Sequence, residues 1–195
     1  MRRALTLVAA VCLASSCSSG VPGDTLAMPD LLVPPDLARI VFTSDPATWG
    51  GGGDPADYQY APDYATLRDG VATGHIKAKN NAPASFASIA TFRKPGVLGG
   101  QRVRYSAEVK SAGVLGWAGM WMRVDDAQFK PIAFDNMMNR PVTGTSDWTR
   151  HEIVLDVAES AAQVTFGLLL SGPGEVWIGR ATLEVVDKSV PATGI

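Results

Sequence analysis

The sequence predicts a single domain that is nearly all β, either a sandwich or a barrel. Short runs of alternating apolar and polar residues recur along the chain, and Gly, Pro and Asp separate them. Such runs are typical of strands with one buried face. We find no convincing long stretch with the 3.6-residue period of an amphipathic helix. Many short strands with this punctuation indicate a sandwich or a barrel rather than a helical or mixed fold.

The first residues predict export. The chain begins Met-Arg-Arg and then runs apolar from residue 4 to residue 14, which is typical of a signal peptide and too short to span a bilayer. The small residues that lead to Cys17 resemble a lipobox, in which the cysteine is lipidated. The leucine expected three positions before that cysteine is missing and Leu13 lies one position earlier, so ordinary cleavage after Ser16 is the alternative. We expect residues 1–17 to be a signal peptide and the protein to be a membrane-anchored lipoprotein of the cell envelope, in the periplasm or on the outer surface.

Cysteine content and net charge limit the partners of the chain. Cys12 lies in the leader and Cys17 would carry lipid, so the folded part lacks a cysteine for a disulfide or a thiolate metal site. Without the two leader arginines, 15 of the 17 basic residues remain against 19 acidic ones, a formal net charge of −4. Nucleic acid and anionic membrane surfaces require clustered positive charge, so we expect neither as a partner. The predicted membrane contact is the lipid at Cys17.

The domain organisation follows from composition. Residues 18–37 are rich in Pro, Gly and Ser and twice present Pro-Asp-Leu, which predicts a semi-rigid tether. Residues 38–190 contain no second linker of that kind and are enough for one domain with a sizeable core. Residues 191–195 are expected to form a short tail.

The strands of this domain are predicted from alternation. Val103, Tyr105, Ala107 and Val109 alternate with polar residues, which predicts one buried and one wet face. Residues 153–157 and 164–170 continue the pattern. Further strands are predicted at residues 58–62, 74–79, 87–92, 116–125, 131–137 and 176–185.

Five segments in order resemble a known family: DGVATGHIKAK, SIATFRKPGVLGGQRVRYSAEVKS, GWAGMWMRVD, SDWTRHEIVLDV and VTFGLLLSGPGEVWIGRATLEVV. They resemble galactose-binding-like jelly-roll modules related to carbohydrate-binding families four and nine, over roughly residues 49–191. More narrowly, the chain resembles a bacterial subfamily of poorly defined function. The resemblance implies an antiparallel jelly-roll β-sandwich with a carbohydrate-binding role. Where such modules commonly carry an Asp pair that helps to hold calcium, this chain has Gly179 and Arg180, so we predict no metal site and no cofactor.

The segment GWAGMWMRVD supplies the first candidate ligand-binding residues. Its alternation places Trp117, Gly119, Trp121 and Arg123 on one face of a strand and Ala118, Met120, Met122 and Val124 on the other. Met and Val are typical of the core side. Two flat aromatic rings with a guanidinium are typical of a surface on which sugar rings stack. The alternative is that both tryptophans pack under a loop or in a second core layer.

The following segment, AFDNMMNRP, supplies the remaining candidates. Asp135, Asn136 and Arg140 carry the donors and acceptors that sugar hydroxyls need. The alternative is structural, because Asn and Asp before a proline are ordinary turn residues and Asp135 can pair with Arg123. Trp148 and Trp177 are predicted as core or edge-packing residues, and Asp125 as a turn residue.

The sequence contains few features that indicate an enzyme active site. His75 and His151 are the only histidines and lie on separate predicted strands, without a nucleophile elbow or a zinc-ligand motif. We expect a non-catalytic exported lipoprotein with a carbohydrate-binding-like module that binds a glycan or a similar polar ligand. The alternative is a protein-interaction or structural module with a partner in the cell envelope. A hydrolase with a carboxylate pair is the least favoured reading.

Overall fold

A computed structural model describes residues 41–194, so the predicted signal peptide, Cys17 and the tether lie outside the described residues. The described chain forms ten strands: β1 (Val41–Ser44), β2 (Gly50–Gly52), β3 (Tyr58–Arg68), β4 (Val71–Ala78), β5 (Phe86–Arg93), β6 (Arg102–Asp125), β7 (Pro131–Asp135), β8 (Val142–Asp156), β9 (Gln163–Ser171) and β10 (Glu175–Val186). Two short 3-10 turns cover Pro46–Thr48 and Gly96–Leu98. Within residues 41–194, no helix is long and apolar enough to cross a membrane.

The strands form two antiparallel layers that share β6. The C-terminal part of β6 pairs with β9 and β7, and β5 and β2 continue beyond β9, so the first sheet has the order β2-β5-β9-β6-β7. The N-terminal part of β6 pairs with β8 and β10, and β4 and β3 continue beyond β10. The second sheet therefore has the order β8-β6-β10-β4-β3, with β1 on β10.

The core lies between the two sheets and uses the predicted inward faces. From the first sheet it takes Ala118, Met120, Met122 and Val124, and from the second Val103, Tyr105, Ala107 and Val109, all fully buried. The rings of Tyr105 and Phe166 lie 5.1 Å apart, and the Tyr105 hydroxyl donates to the carbonyl of Gly167 at 3.2 Å, so the sheets interlock. The predicted all-β, antiparallel jelly-roll β-sandwich is confirmed.

Two local predictions differ from the structure. The predicted strands at 102–109 and 116–125 are one strand, β6, which is how a single segment contributes to both sheets. The Gly-rich residues 50–54, whose composition predicts a flexible loop, form a strand in part, β2. Gly51 lies against the ring of Tyr60, where a Cβ would overlap the aromatic carbons, so the absence of a side chain lets β2 pack as an edge strand.

Candidate ligand-binding face

The outer face of the first sheet is defined by the register of its strands. Trp121 on β6 lies beside Gly167 on β9, which lies beside Ala90 on β5 and Gly50 on β2. Cross-strand partners point to the same side of a sheet, and residues two apart along a strand share that side. We call this surface the aromatic face, and it carries Phe86, Ser88, Ala90, Phe92, Trp117, Trp121, Arg123, Phe134, Thr165 and Gly167.

The indole of Trp121 lies across the neighbouring strand. Its N–H donates to Ser88 Oγ at 2.8 Å. Ser88 is on β5, and β9 lies between β5 and β6, so the side chain spans about 10 Å of sheet. Trp121 pairs with Gly167 of β9, which has no side chain, whereas Ser88 pairs with Leu169, which is 8% exposed, so the indole crosses β9 diagonally between these two residues. The indole is half-buried, so part of its surface is open to solvent.

The ring of Trp117 rests on a second glycine, in its own strand. A Cβ at Gly119 would lie 3.3 Å from Trp117 Cζ3 and 2.8 Å from the carbonyl oxygen of Asn136, so the glycine leaves room for both. Trp117 is half-buried, like Trp121 and Arg123. The structure thus brings these three predicted residues to one partly exposed face, as the alternation predicts. Their role in ligand binding stays a prediction.

Three phenylalanines on the same face were not predicted as ligand-binding residues. Phe86, Phe92 and Phe134 are 55%, 63% and 38% exposed. Across the strands of the sheet, Phe86 lies level with Trp117, and Phe92 and Phe134 lie level with Arg123. The period-two alternation of FASIATFR predicts this outward placement, because both phenylalanines alternate with the apolar residues that face the core.

Arg123 and Asp125 form an ion pair beside Trp121, so their two charges balance. Arg123 Nε lies 3.0 Å from the carboxylate of Asp125, whose side chain is fully buried, whereas 38% of the Arg123 side chain is exposed. Among residues 41–194, the hydrogen bonds of Arg123 use Nε alone. Its terminal nitrogens are therefore available donors on a locally neutral surface. The prediction that Asp125 is a turn residue is wrong, because it ends β6 and is buried.

Asp135 and Arg140 lie behind the aromatic face and bind each other. Arg140 Nη2 donates to Asp135 Oδ2 at 2.6 Å, and the Met137 amide and the Thr193 hydroxyl donate to the same carboxylate. Burial alone would raise the pKa of Asp135, but the hydrogen bonds from Arg140, Thr193 and Met137 outweigh it, so this pKa lies below its ordinary value. The carboxylate has its partners within the protein, and a ligand role for either residue stays a prediction.

Asn136 forms the turn after β7. Its Oδ1 accepts a hydrogen bond from the Met138 amide at 3.1 Å, as in an ordinary Asx turn. The Asn136 side chain is half-buried, and its backbone adjoins Gly119 at the border of the aromatic face. Asn136 therefore lies beside Trp117. Within the described residues, its side-chain NH2 group has no hydrogen-bond partner. Its contact with a ligand stays a prediction.

The outer face of the second sheet is covered by ion pairs instead. Four of them join neighbouring strands or turns: Arg102 with Asp156 (2.8 Å), Arg104 with Glu184 (3.0 Å), Lys77 with Glu175 (2.8 Å) and Arg180 with Glu108 (3.1 Å). The charges of these four pairs are balanced within the protein. The two outer faces of the sandwich therefore differ in kind, one aromatic and locally neutral, the other charged and internally paired.

Two of the three tryptophans outside the aromatic face, Trp148 and Trp177, have partners on this charged face, whereas Trp49 packs against Phe166 of the core. The ring of Trp177 stacks on His75 with centroids 4.6 Å and planes 5° apart, and its N–H donates to Asp63 at 2.8 Å. The guanidinium of Arg68 lies 5.7 Å from the ring centre of Trp148. Both tryptophans are half-buried on the outer surface, which fits the predicted edge packing and not the core.

The described part of the chain contains no cluster of metal-ligating side chains. Among residues 41–194, no three His, Cys, Asp or Glu side chains come together to hold a metal ion. Arg180 pairs with Asp69 and Glu108 where the resemblance implied an acidic pair. Burial lowers the pKa of both His75 and His151, which lie on different strands, β4 and β8.

Comparison with known proteins gives one relative by sequence. No family model matches the chain. The uncharacterized HTH-type transcriptional regulator YbfP of Bacillus subtilis (strain 168) is 40% identical over 145 residues, which are 74% of this chain and 49% of the regulator. The chain spans about half the length of this curated relative.

Solved structures with a similar backbone are more distant in sequence. The CBM22-1 xylan-binding domain of Xyn10C from Paenibacillus barcinonensis is 10% identical, with a TM-score of 0.54 over 77% of this chain and 97% of that domain. A family 30 carbohydrate-binding module is 14% identical, with a TM-score of 0.55 over 81% of this chain and 92% of the module. The enzymatically active domain of tailspike protein 4 from bacteriophage CBA120 is 10% identical, with a TM-score of 0.53 over 76% of this chain and 19% of that one. At these identities the likeness concerns the fold alone, which in residues 41–194 is an antiparallel jelly-roll β-sandwich.

Proposed function

We propose that this protein is a non-catalytic module that binds a glycan on the aromatic face. The observation that carries the proposal is the half-buried Trp121 indole, which reaches across β9 to Ser88 on a face that also carries exposed phenylalanines. Sugar rings present C–H groups on their flat sides, and such groups stack on aromatic rings. A surface of this composition in a soluble domain is typical of a binding site.

The length of the aromatic face favours a chain of sugars over a single one. Phe86 and Phe92 lie six residues apart on β5, a separation of about 20 Å along the strand. That distance is several times the size of one sugar ring. Between them, Ala90 on β5 and Gly50 on β2 lie side by side with little or no side chain. An oligosaccharide can therefore approach the backbone there while its rings contact the aromatic groups on either side.

The polar groups favour an uncharged glycan. The Arg123 charge is balanced by Asp125 at 3.0 Å, so the face has no local excess of charge for a uronic acid or a sulfate beside Trp121. The terminal nitrogens of Arg123 are still able to donate hydrogen bonds to sugar hydroxyls. The xylan-binding domain with a similar backbone supports the same class of ligand. Within this fold, we place the chain nearest to carbohydrate-binding families four and nine on its sequence segments.

The test is retention of the wild-type protein in native gels that contain one soluble polysaccharide each. The panel holds xylan, mixed-linkage β-glucan, hydroxyethylcellulose and galactan as neutral probes and pectin as an acidic one. We expect at least one neutral polysaccharide to retard the protein, and pectin to retard it no more than a gel without polysaccharide. Migration unaffected by the whole panel would overturn the glycan proposal.

A protein partner is the second candidate. It is favoured by the Bacillus subtilis relative, which is named as a transcriptional regulator and not as a polysaccharide-degrading enzyme. The exposed rings of Phe86 and Phe92 would then lie in the interface, since aromatic residues are enriched there. A wild-type protein that ignores every polysaccharide, but associates with an envelope protein only while Phe86 and Phe92 are intact, would favour this candidate.

We further propose that the module is exported and anchored to the cell envelope by lipid at Cys17. The support is the leader of residues 1–17, the lipobox-like residues before Cys17 and the tether of residues 18–37. A tether of that composition would hold the module away from the membrane surface. The lipid is then the membrane contact, and the aromatic face remains available for ligand.

A further inference from the structure

Ser88 lies outside the set of residues predicted for ligand binding, and its hydroxyl has two partners. It accepts a hydrogen bond from Trp121 Nε1 at 2.8 Å and donates one to the carbonyl of Leu168 at 3.0 Å. A hydroxyl has one hydrogen, and the bond to Leu168 uses it. A lone pair of Ser88 Oγ is therefore left to accept from the indole, so the acceptor is oriented by β9, the strand that the ring crosses.

The strand that the indole crosses is restricted to glycine beside Trp121. A Cβ at Gly167 would overlap the carbonyl oxygen of Ile89 and lie 2.8 Å from the Cβ of Ala90. The contact with Ile89 involves backbone, which cannot move aside without disturbing the pairing of β5 with β9. The packing of the sheet therefore keeps this position free of a side chain, and that leaves the space through which Trp121 reaches Ser88.

We propose that Ser88 is a positioning residue that holds the Trp121 indole in one orientation across β9 and so fixes the ring surface that a ligand meets. A partly exposed tryptophan has two side-chain torsions and several accessible rotamers. A ring already fixed in the binding orientation loses less conformational freedom when a ligand stacks on it. The importance for glycan recognition rests on the proposed function, whereas the orientation of the ring is a property of the free protein.

Two variants of nearly identical shape separate the hydrogen bond from packing. Ser88→Thr keeps the hydroxyl, and Ser88→Val replaces it with a methyl group; both side chains are β-branched and suit a strand. Ser189→Ala, in the exposed loop after β10, controls for the loss of a serine elsewhere. Trp121→Phe identifies the indole signal of Trp121 in the nitrogen–proton NMR spectrum.

The first readout needs no ligand. We expect the indole N–H of Trp121 to exchange slowly with solvent in wild type, Ser88→Thr and Ser189→Ala, and much faster in Ser88→Val. The melting temperatures of the Thr and Val variants should agree closely. Equal exchange in the Thr and Val variants would overturn the positioning role, because the hydroxyl would then make no difference to the ring.

The second readout is affinity for the neutral polysaccharide that retards wild type, with soluble xylan tried first. We expect Ser88→Val to bind about fivefold more weakly, the effect of one net hydrogen bond, and Ser88→Thr to bind within about twofold of wild type. Unchanged affinity in the Val variant, despite fast indole exchange, would overturn the link between orientation and recognition. If wild type binds no polysaccharide, the proposed function fails, and the exchange experiment alone still decides whether Ser88 orients the ring.

Discussion

Asp135 and Arg140 form an ion pair in which Arg140 Nη2 lies 2.6 Å from Asp135 Oδ2, with 5% of the Asp135 side chain exposed. The pair closes the turn between β7 and β8, and Arg140 also donates to the carbonyl of Glu152 at 3.3 Å. A carboxylate buried this deeply needs its partner, because an unpaired charge there is costly. The pair is therefore a part of the fold, whatever else it contacts.

Replacement of Arg140 by Ala should lower the free energy of unfolding by about 2 to 3 kcal/mol, since the Asp135 carboxylate loses a charged hydrogen-bond donor. The matched control is Lys77→Ala, which breaks the more exposed ion pair with Glu175 on the second sheet. Chemical denaturation of the two variants makes the comparison. A loss at Arg140 within about 0.5 kcal/mol of zero would contradict a structural role for the pair.

Two phenylalanines on the two sides of the first sheet should respond differently to truncation. Phe166 is buried and packs against Tyr105 and Trp49, so Phe166→Ala should cost about 3 to 5 kcal/mol through lost transfer energy and a cavity. Phe92 is 63% exposed, and Phe92→Ala should change stability by less than about 1 kcal/mol. Equal losses in urea denaturation would mean that the inward and outward faces have been exchanged.

Both histidines should make the fold less stable as the pH falls below about 6.5, the ordinary histidine pKa. Burial lowers the pKa of His75, against the attraction of Glu175 and Asp63, and burial with the nearby charge of Arg140 lowers that of His151. The unfolded chain then takes up protons before the folded one does, so the stability present at higher pH declines as the pH falls through this range. The free energy of unfolding should thus be smaller at pH 5 than at pH 7.

A double variant, His75→Gln with His151→Gln, serves as the control for that titration. Its stability should change much less between pH 7 and pH 5 than that of wild type. Carboxylates with a lowered pKa act in a separate window near pH 4 and below. A wild-type protein that gains stability over the same interval would contradict the direction of the histidine shifts.

Lipidation should depend on one of the two cysteines. Cys17→Ala should move the exported protein from the membrane fraction to the soluble fraction, because lipid supplies the predicted membrane affinity. Cys12→Ala, within the leader, should leave the protein in the membrane fraction. Wild-type protein that is already soluble after export would show that an ordinary signal peptidase removes the leader.

The fold could be predicted from the sequence because alternation reports burial directly. In β6 the apolar side chains of Met120 and Met122 face the core, while Trp121 between them faces outward, as the period-two pattern requires. The same rule applied to β5 would have placed Phe86 and Phe92 beside the tryptophans. The alternation of β5 was not used to predict the positions of these two residues, although the sequence contains it.

Other features depend on contacts between residues that are distant in sequence. Trp121 and Ser88 are 33 positions apart, and Asp135 meets Thr193 across 58 positions. Alternation specifies which side of a strand a residue lies on, but it does not show which strand comes next in the sheet. For that reason, the orientation of the Trp121 ring and the burial of the Asp135 carboxylate required the strand order.

The most direct test of glycan binding compares two tryptophans of similar burial on opposite faces, Trp121 and Trp177. Each donates its indole N–H to one side chain, Ser88 and Asp63 respectively. In native gels with the polysaccharide that retards wild type, Trp177→Ala should be retarded as strongly as wild type, and Trp121→Ala should migrate as it does without polysaccharide. Melting curves of both variants would confirm that each is folded at the temperature of the gel. Retardation of Trp121→Ala equal to that of wild type, or an equal loss in both variants, would contradict binding on the aromatic face.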